Sequence, residues 1–313
     1  MKRAHALLLL LVVLLLAIPA APIESRTYVL QVLTFMFVSV VLAQSYDIVG
    51  GQMGYVNLGH ITFFAVGAYA FGILFNLNMG LLASLALGTA VVVVFAALIS
   101  YPFFRLRGAY FSLAAFGLVK LMEQLTINLG WLTGGSNGLK VTPGNRVLAM
   151  YYASLGVVAA VVVASWLIER SRLGLALKTI REDEEVAEDF GVPTFRVKAQ
   201  ALILSAVFPA IIGGLYTWYI NFIDPNQVYG LSVALTPVAM AMLGGSGVLV
   251  GPVLGAVFLY LMQELIYTQT AHLHGAMMGL VIVLVGLFMP GGLVRLGPVA
   301  RVLRRLGLTV EEA

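Results

Sequence analysis

The chain has 313 residues, 61% of them apolar and only 10% charged, with 18 Lys and Arg against 14 Asp and Glu and no cysteine. A mean hydropathy of +0.99 is more than a water-soluble core can hide, so lipid must be the solvent for most side chains. Disulfides and thiolate metal sites are excluded, and a net charge of +4 carried by termini and loops gives no reason to expect a nucleic-acid partner.

The apolar runs are continuous and close to 20 residues long, as helices require, and lack the ten-residue alternation of a membrane β-barrel. In chain order they are Ala6 to Ile23, Tyr28 to Ala43, Ile61 to Phe75, Leu81 to Phe104, Ala109 to Ile127, Val147 to Ile168, Ala199 to Phe222, Leu231 to Leu243, Val248 to Ile266 and Gly275 to Leu293. Ile61 to Phe75 and Leu231 to Leu243 fall short of a full span, so they read as broken helices or borrow flanking residues such as Gly54 to His60. The expectation is an all-α polytopic membrane helix bundle of 8–10 spans, a single transmembrane domain over residues 1–313. Lys2 and Arg3 ahead of the first run also fit a signal peptide, but Ile18 and Pro19 before Ala20 and Ala21 make a poor cleavage site.

Between two such runs, residues 169–198 form a polar island that holds seven of the 14 carboxylates and six of the 18 basic residues. With the amino terminus placed in the cytoplasm, 14 Lys and Arg fall on the cytoplasmic side and three (Arg26, Lys140, Arg146) outside, with Lys120 inside a span. That asymmetry obeys the positive-inside rule and puts both termini and the island in the cytoplasm. Within the island, Leu173, Ala176, Leu177 and Ile180 recur at helical spacing, an apolar stripe that a soluble partner can grip, with charges such as Glu182 and Glu185 to set register.

Motifs for chemistry are missing. No G-x-x-x-x-G-K-[ST] loop exists to cradle nucleotide phosphates, and no H-E-x-x-H exists to hold zinc. His272 and His274 sit two apart, on different faces of a helix, and read as polar loop residues. No cofactor and no catalytic group is expected. The glycines at membrane depth read mostly as tight helix packing. Two interrupted polar stretches stand out as pathway candidates: one holds Asn57, Gly59, His60 and, further on, Gly67; the other holds Thr133, Gly134, Gly135 and Ser136. Lys120 and Glu123, three apart, read as a local ion pair, and Glu123 is the one mid-span carboxylate expected, too few for proton coupling.

Four blocks in order bring a family into view. Gly54-Tyr-Val-Asn-Leu-Gly-His-Ile-Thr-Phe-Phe-Ala-Val-Gly-Ala-Tyr69 resembles the G-x-x-S/N-L-G-H-x-x-F-x-x-x-G-A-Y segment of the branched-chain amino-acid (Liv-type) permeases of ABC importers. Thr133-Gly-Gly-Ser-Asn-Gly-Leu139 is similar to their T-G-G-S-[ND]-G-L block, and residues 242–256 to their L-G-G-x-G-x-x-x-G-P-x-x-G-A block. The island from Ser171 to Gly191 resembles the segment that docks on the ATPase, although Asp183-Glu184-Glu185 is more acidic than the usual Asn-Glu. The match looks most like the M-type subunit.

The resemblance implies a permease of the inner membrane paired with a second permease subunit as a heterodimer, two cytoplasmic ATP-binding subunits and an extracytoplasmic solute-binding protein. It casts Leu173, Ala176, Leu177, Ile180, Glu182, Glu185 and Gly191 as ATPase-coupling residues. Branched-chain amino acids are the expected cargo, with urea or amides as alternatives. A stand-alone secondary transporter and a scaffold without a path are the rival classes.

Overall fold

The computed structural model describes residues 15–20, 25–141, 147–269, 279, 292–295 and 300. The terminal segments, most of the first and last apolar runs, and His272 and His274 lie outside them. Eleven helices carry the description: α1 Arg26–Gly50, α2 Ile61–Asn76, α3 Leu81–Phe103, α4 Ala109–Asn128, α5 Val147–Glu169, α6 Arg172–Glu182, α7 Glu184–Asp189, α8 Thr194–Ile220, α9 Pro225–Tyr229, α10 Leu231–Gly244 and α11 Gly251–Gln269. The protein is an all-α membrane bundle. α1, α3, α5, α8 and the continuous pair α9–α10 are each long and apolar enough to cross a bilayer, and α2 and the apolar part of α11 are shorter.

Helices that are apolar all round cannot sort themselves by an amphipathic face, so small residues decide which ones touch. α8 packs against α2, α3 and α1, while α1 packs on α5 and on the α10–α11 pair. A β-carbon on Gly67 of α2 would stand 2.5 Å from Ala210 Cα, and one on Gly213 of α8 would stand 2.3 Å from Phe64 O. The backbones of α2 and α8 therefore touch directly, which makes Gly67 a packing residue. α1 and α8 form the centre, with 72% and 67% of their spanning windows buried, against 22% for α3 and for α5 at the lipid-facing edge.

The loops sort into two faces. On one, the 133–138 turn and the strand pair β1 Leu139–Lys140 and β2 Phe222–Ile223, joined Leu139 to Ile223, gather with Asn76, whose Nδ2 donates to Lys140 O at 2.8 Å. Gly134, Gly135 and Gly138 have φ of 79°, 59° and 74°, a left-handed path that other residues avoid. Thr133 Oγ1 ties the turn down by donating to Thr126 O at 2.6 Å, while Gly135 N–H donates to it at 3.2 Å. Thr133, Gly134, Gly135 and Ser136 thus cap this face. On the other face, loop 51–60, residues 104–108, the island and residues 244–250 meet, as described below. Each contact joins loops that the charge count puts on the same side. α4 links Arg107 on the island face to Thr133 on the opposite one, and at 1.5 Å per residue its 20 residues span about 30 Å. Within it Lys120 Nζ bonds Glu123 Oε2 at 2.7 Å, the local pair expected.

Two sequence boundaries need correction. The run ending at Ala43 continues as helix through Gln44, Ser45, Tyr46 and Asp47 to Gly50, because those polar groups are buried against protein and not exposed to acyl chains. Glu123 is therefore not the lone carboxylate within a span. The short run at Leu231 is completed by α9, whose Asp224 cap accepts from Gln227 N–H at 3.1 Å.

The charge count assigns the island face to the cytoplasm. In intact cells, a single cysteine placed by Ser136→Cys should label with an impermeant thiol reagent, while Leu175→Cys should react only after permeabilisation. The reverse pattern would invert the topology.

Candidate functional site, the island and the junction beneath it

Local chemistry shapes the island into two helices. Ser171 caps α6 by accepting from Gly174 N–H at 3.3 Å, and Gly174 is obligatory because a β-carbon there would lie 2.2 Å from Ile168 O. Asp183 ends α6 in an extended conformation and caps α7, its Oδ1 accepting from Glu185 and Val186 N–H at 2.9 and 3.1 Å. Glu184 and Glu185 in the first turn suit the positive end of the α7 dipole. Gly191, at φ 82°, then turns the chain into α8, with Gly191 N–H donating to Glu188 O at 2.8 Å.

The apolar stripe faces inward. Leu177 and Ile180 are buried, with Leu173 and Ala176 half-buried beside them, in a core that includes Ile48, Val49, Met53, Phe63 and Ala201 of the chain's own spans. The expectation that these four side chains are offered to a soluble partner is corrected: Leu177 and Ile180 pack on the permease's own core, and Leu173 and Ala176 are half-buried against it. Left outside are Leu175 and Val186, and Phe190, which is 85% exposed, together with the charged Glu182 and Glu185. Gly191 is exposed with open space around it, so its role is the left-handed turn and not a close fit.

Charge clamps the island to the spans. Lys198, on the first turn of α8 and 2% exposed, donates from Nζ to Glu184 Oε1, while Tyr55 of loop 51–60 donates from its hydroxyl to Glu184 Oε2. The ammonium also lies 5.3 Å from the ring centres of Tyr55 and Phe104. Arg107 donates to Glu185 Oε1 at 2.8 Å and stands 4.0 Å from both Glu184 and Glu188. Burial pushes the Glu184 carboxyl up, but the bonds from Lys198 and Tyr55 and the charges of Lys198 and Arg107 outweigh it and hold it below the usual carboxylate range. Burial and the Glu184 hydrogen bond together push the Tyr55 phenol up, so it stays a donor at any physiological pH. Part of the island's acidity is thus neutralised from within.

One layer deeper, Asp47 gathers three segments. It is 1% exposed, and Oδ1 accepts from Ser246 Oγ at 2.8 Å and from Gly247 N–H at 2.9 Å. A β-carbon on Gly51 would lie 1.9 Å from Asp47 Oδ1 and 2.4 Å from Gly247 N, so only glycine lets the two loops close. From the island, Arg181 Nη1 donates to Gly51 O at 2.8 Å and fills the space a side chain on Gly247 would take. Alongside, Ser45 Oγ donates to Val41 O at 2.6 Å and is hydrogen-bonded to His60 Nε2 at 3.0 Å. His60 is fully buried, edge-on to Tyr46 and Phe63. Asn57 is buried too, its Oδ1 accepting from Gly59 N–H at 3.0 Å, and a β-carbon on Gly59 would stand 2.5 Å from Ala115 O. Asn57, Gly59 and His60 therefore build this junction, and none of them lines the main cavity between the spans.

Sequence reasoning passed over Asp47, Tyr55, Arg107, Arg181 and Lys198. Asp47 had one available signal: a carboxylate four residues before Gly51 at the end of an apolar run, with a second glycine-rich loop that lacks a ligand of its own. Pairings across 130 or 200 positions, such as Arg181 with Gly51 or Asp47 with Gly247, leave no trace in local spacing.

The structure is thus a lipid-embedded helix bundle with a folded polar appendage on its basic face. The chain belongs to the family described as branched-chain amino acid transport system, permease component, whose pattern matches residues 28–286. It is similar to the high-affinity branched-chain amino acid transport system permease protein LivM of Escherichia coli K12, at 26% identity over 91% of this chain and 74% of that protein. It is also similar to the autoinducer 2 import system permease protein LsrC of Salmonella choleraesuis, at 26% identity over 82% of this chain and 77% of that one. No solved structure matches.

Breaking a buried ion pair costs about 3–5 kcal/mol because one charge is left uncompensated. Glu184→Gln should therefore loosen the island and speed tryptic cleavage at Arg172, Lys178 and Arg181, and Glu184→Gln with Lys198→Met should restore part of the protection. The folded carboxyl titrates below its unfolded value of about 4.3, so the clamp contributes at every pH above that and is lost only as pH falls through the lower folded value. Protection of the native island that fades between neutral pH and about pH 6 would contradict this assignment.

Proposed function

We propose that this chain is one permease subunit of an ATP-driven importer of the inner membrane, and that branched-chain amino acids are its cargo. The observation that carries the reading is the island: two capped helices clamped to the spans by Lys198, Tyr55 and Arg107, with Leu175, Val186 and Phe190 left outside as apolar knobs. Phe190, 85% exposed, with Leu175 and Val186 gives a soluble partner apolar side chains to bury on the island. Because the chain has no phosphate-binding loop, the energy source must sit on that partner, a pair of cytoplasmic ATP-binding subunits. A second permease subunit and an extracytoplasmic solute-binding protein complete the assembly.

Force reaches the spans through two rigid routes. Glu184 and Glu185 hold Lys198 of α8 and Arg107 before α4, and Arg181 holds Gly51, which abuts the Asp47 junction. Closure of the partner subunits would move α6 and α7 as one body and pull on the island-face ends of α1, α4 and α8 together, biasing two rigid states of the bundle. The cargo reading leans on the length of the LivM match; relatives named for autoinducer 2 import make cargo the part to test directly.

Leu175→Asp and Phe190→Asp should each weaken association with the ATP-binding subunits by about 2 kcal/mol or more, roughly 30-fold in affinity, and reduce ATP-driven leucine uptake with it. Membrane insertion and the tryptic pattern of the island should not change, since both side chains are exposed. ATP-driven uptake at the native rate by both variants would remove this face from the coupling.

A further inference from the structure

The spans line a half-open cavity of about 380 Å³ that Asn57, Gly59, His60, Gly67 and the 133–136 turn do not touch. Its walls come from α1, α2, α8, α9, α10 and α11. Gln227 and Gln263 stand at the end away from the island, since the next residue, Glu264, accepts from Tyr28 Oη at 2.8 Å near the start of α1. Leu42 and Met240 stand at the other end. Below them Tyr46, Val238 and Ala241 pack together with Leu58, and below those lies the Asp47 junction. The space therefore begins near the face opposite the island and stops short of the island face.

The lining separates by chemistry. Ser39, Gln227, Ser232, Thr236 and Gln263 supply hydroxyls and amides, while Phe35, Val38, Leu42 and Met240 supply apolar surface. Pro237 in α10 has no N–H to give to the Val233 carbonyl, and both residues line the cavity, which leaves a backbone acceptor without its helical donor on that wall. Among the described residues, no Asp, Glu, Lys, Arg or His lines it. Acyl chains cannot satisfy so many polar groups, and a solute with net charge would be stripped of water with nothing to compensate it.

We propose that this cavity is the cargo site of the permease in a state open away from the island, and that it takes a net-neutral solute with a hydrogen-bonding head and a short apolar body. The inference rests on the importer reading and assigns it a location and a selectivity. The amides and hydroxyls meet a zwitterionic head by dipoles alone, the Val233 carbonyl accepts from its ammonium, and the apolar wall takes an aliphatic side chain. The volume is that of a small-ligand site.

The natural absence of cysteine makes the test clean. In the full importer in intact cells, Ser39→Cys and Thr236→Cys should react with an impermeant thiol reagent from outside and lose leucine uptake on reaction. Leu98→Cys, on the lipid-facing side of α3, should keep uptake after the same treatment. Excess leucine should slow modification of Ser39→Cys several-fold, and lysine, glutamate and urea should not. Variants that transport normally yet never react mean the space is filled by lipid or by another chain, and overturn the proposal. Equal slowing by lysine or glutamate overturns its charge selectivity, and equal slowing by urea removes the role of the apolar wall. If the native chain shows no ATP-driven leucine uptake, the importer reading fails. The cavity is then judged by modification of Ser39→Cys and its slowing by leucine, neither of which depends on ATP.

Discussion

Lys198 sets the arrangement of the island. Its ammonium lies beneath the polar segment, 2% exposed, where an isolated charge would cost several kcal/mol, so a carboxylate has to be brought to it. Glu184 is that carboxylate, and it reaches Lys198 only because Asp183 breaks the helix just before it and restarts α7 on a new axis. A pair of this kind adds little net stability compared with an apolar substitute, but it penalises every arrangement that separates its members. Stiffness and register, not binding energy, are what it gives the island. A coupling element needs those properties, because a hinge at this point would absorb a partner's movement instead of passing it on.

The junction at Asp47 obeys the same rule by different means. A carboxylate at the end of an apolar helix is tolerable only if donors surround it, and the donors here are one hydroxyl and one backbone N–H from a loop 200 residues away. Such contact requires Gly51 and Gly247 to have no side chains, and Arg181 fills what remains. The resemblance segment at residues 242–256 thus meets, across a single buried acid, the turn at Gly51 that leads into the segment from Gly54 to Tyr69, which gives physical content to the glycines at 51 and 247. The same economy explains α2 against α8, where Gly67 and Gly213 let backbones touch.

The residues first read as pathway candidates stand in hydrogen-bonded turns at the two faces of the bundle. Thr133 to Ser136 form a left-handed glycine turn at the face opposite the island, and Asn57, Gly59 and His60 brace the island face through short internal hydrogen bonds. Polar groups at glycine-rich interruptions signal that backbone leaves the helix and must be satisfied, and that signal is identical whether the site lines a path or ends one. The cavity between the spans is lined instead by Ser39, Thr236 and Gln263, polar residues scattered through apolar runs, which carry no motif at all.

Composition and the length of the apolar runs determined the lipid solvent and the helical class, because the bilayer admits few solutions and each leaves a long-range mark on hydropathy, while Lys and Arg placement supplies the expected sidedness. The positions of the spans, the existence of the island and the Lys120–Glu123 pair were equally legible, being local. Three things were decided only by the tertiary structure. The α6 stripe faces inward, since Leu177 and Ile180 see the same periodicity whichever surface covers them. Asp47 is buried inside α1 and not at a loop, since its donors come from the far end of the chain. Lys198 belongs to Glu184, since an ion pair between two helices depends on how the chain turns between them, and Gly191 at positive φ, which makes that turn, is one glycine among 33 in the sequence.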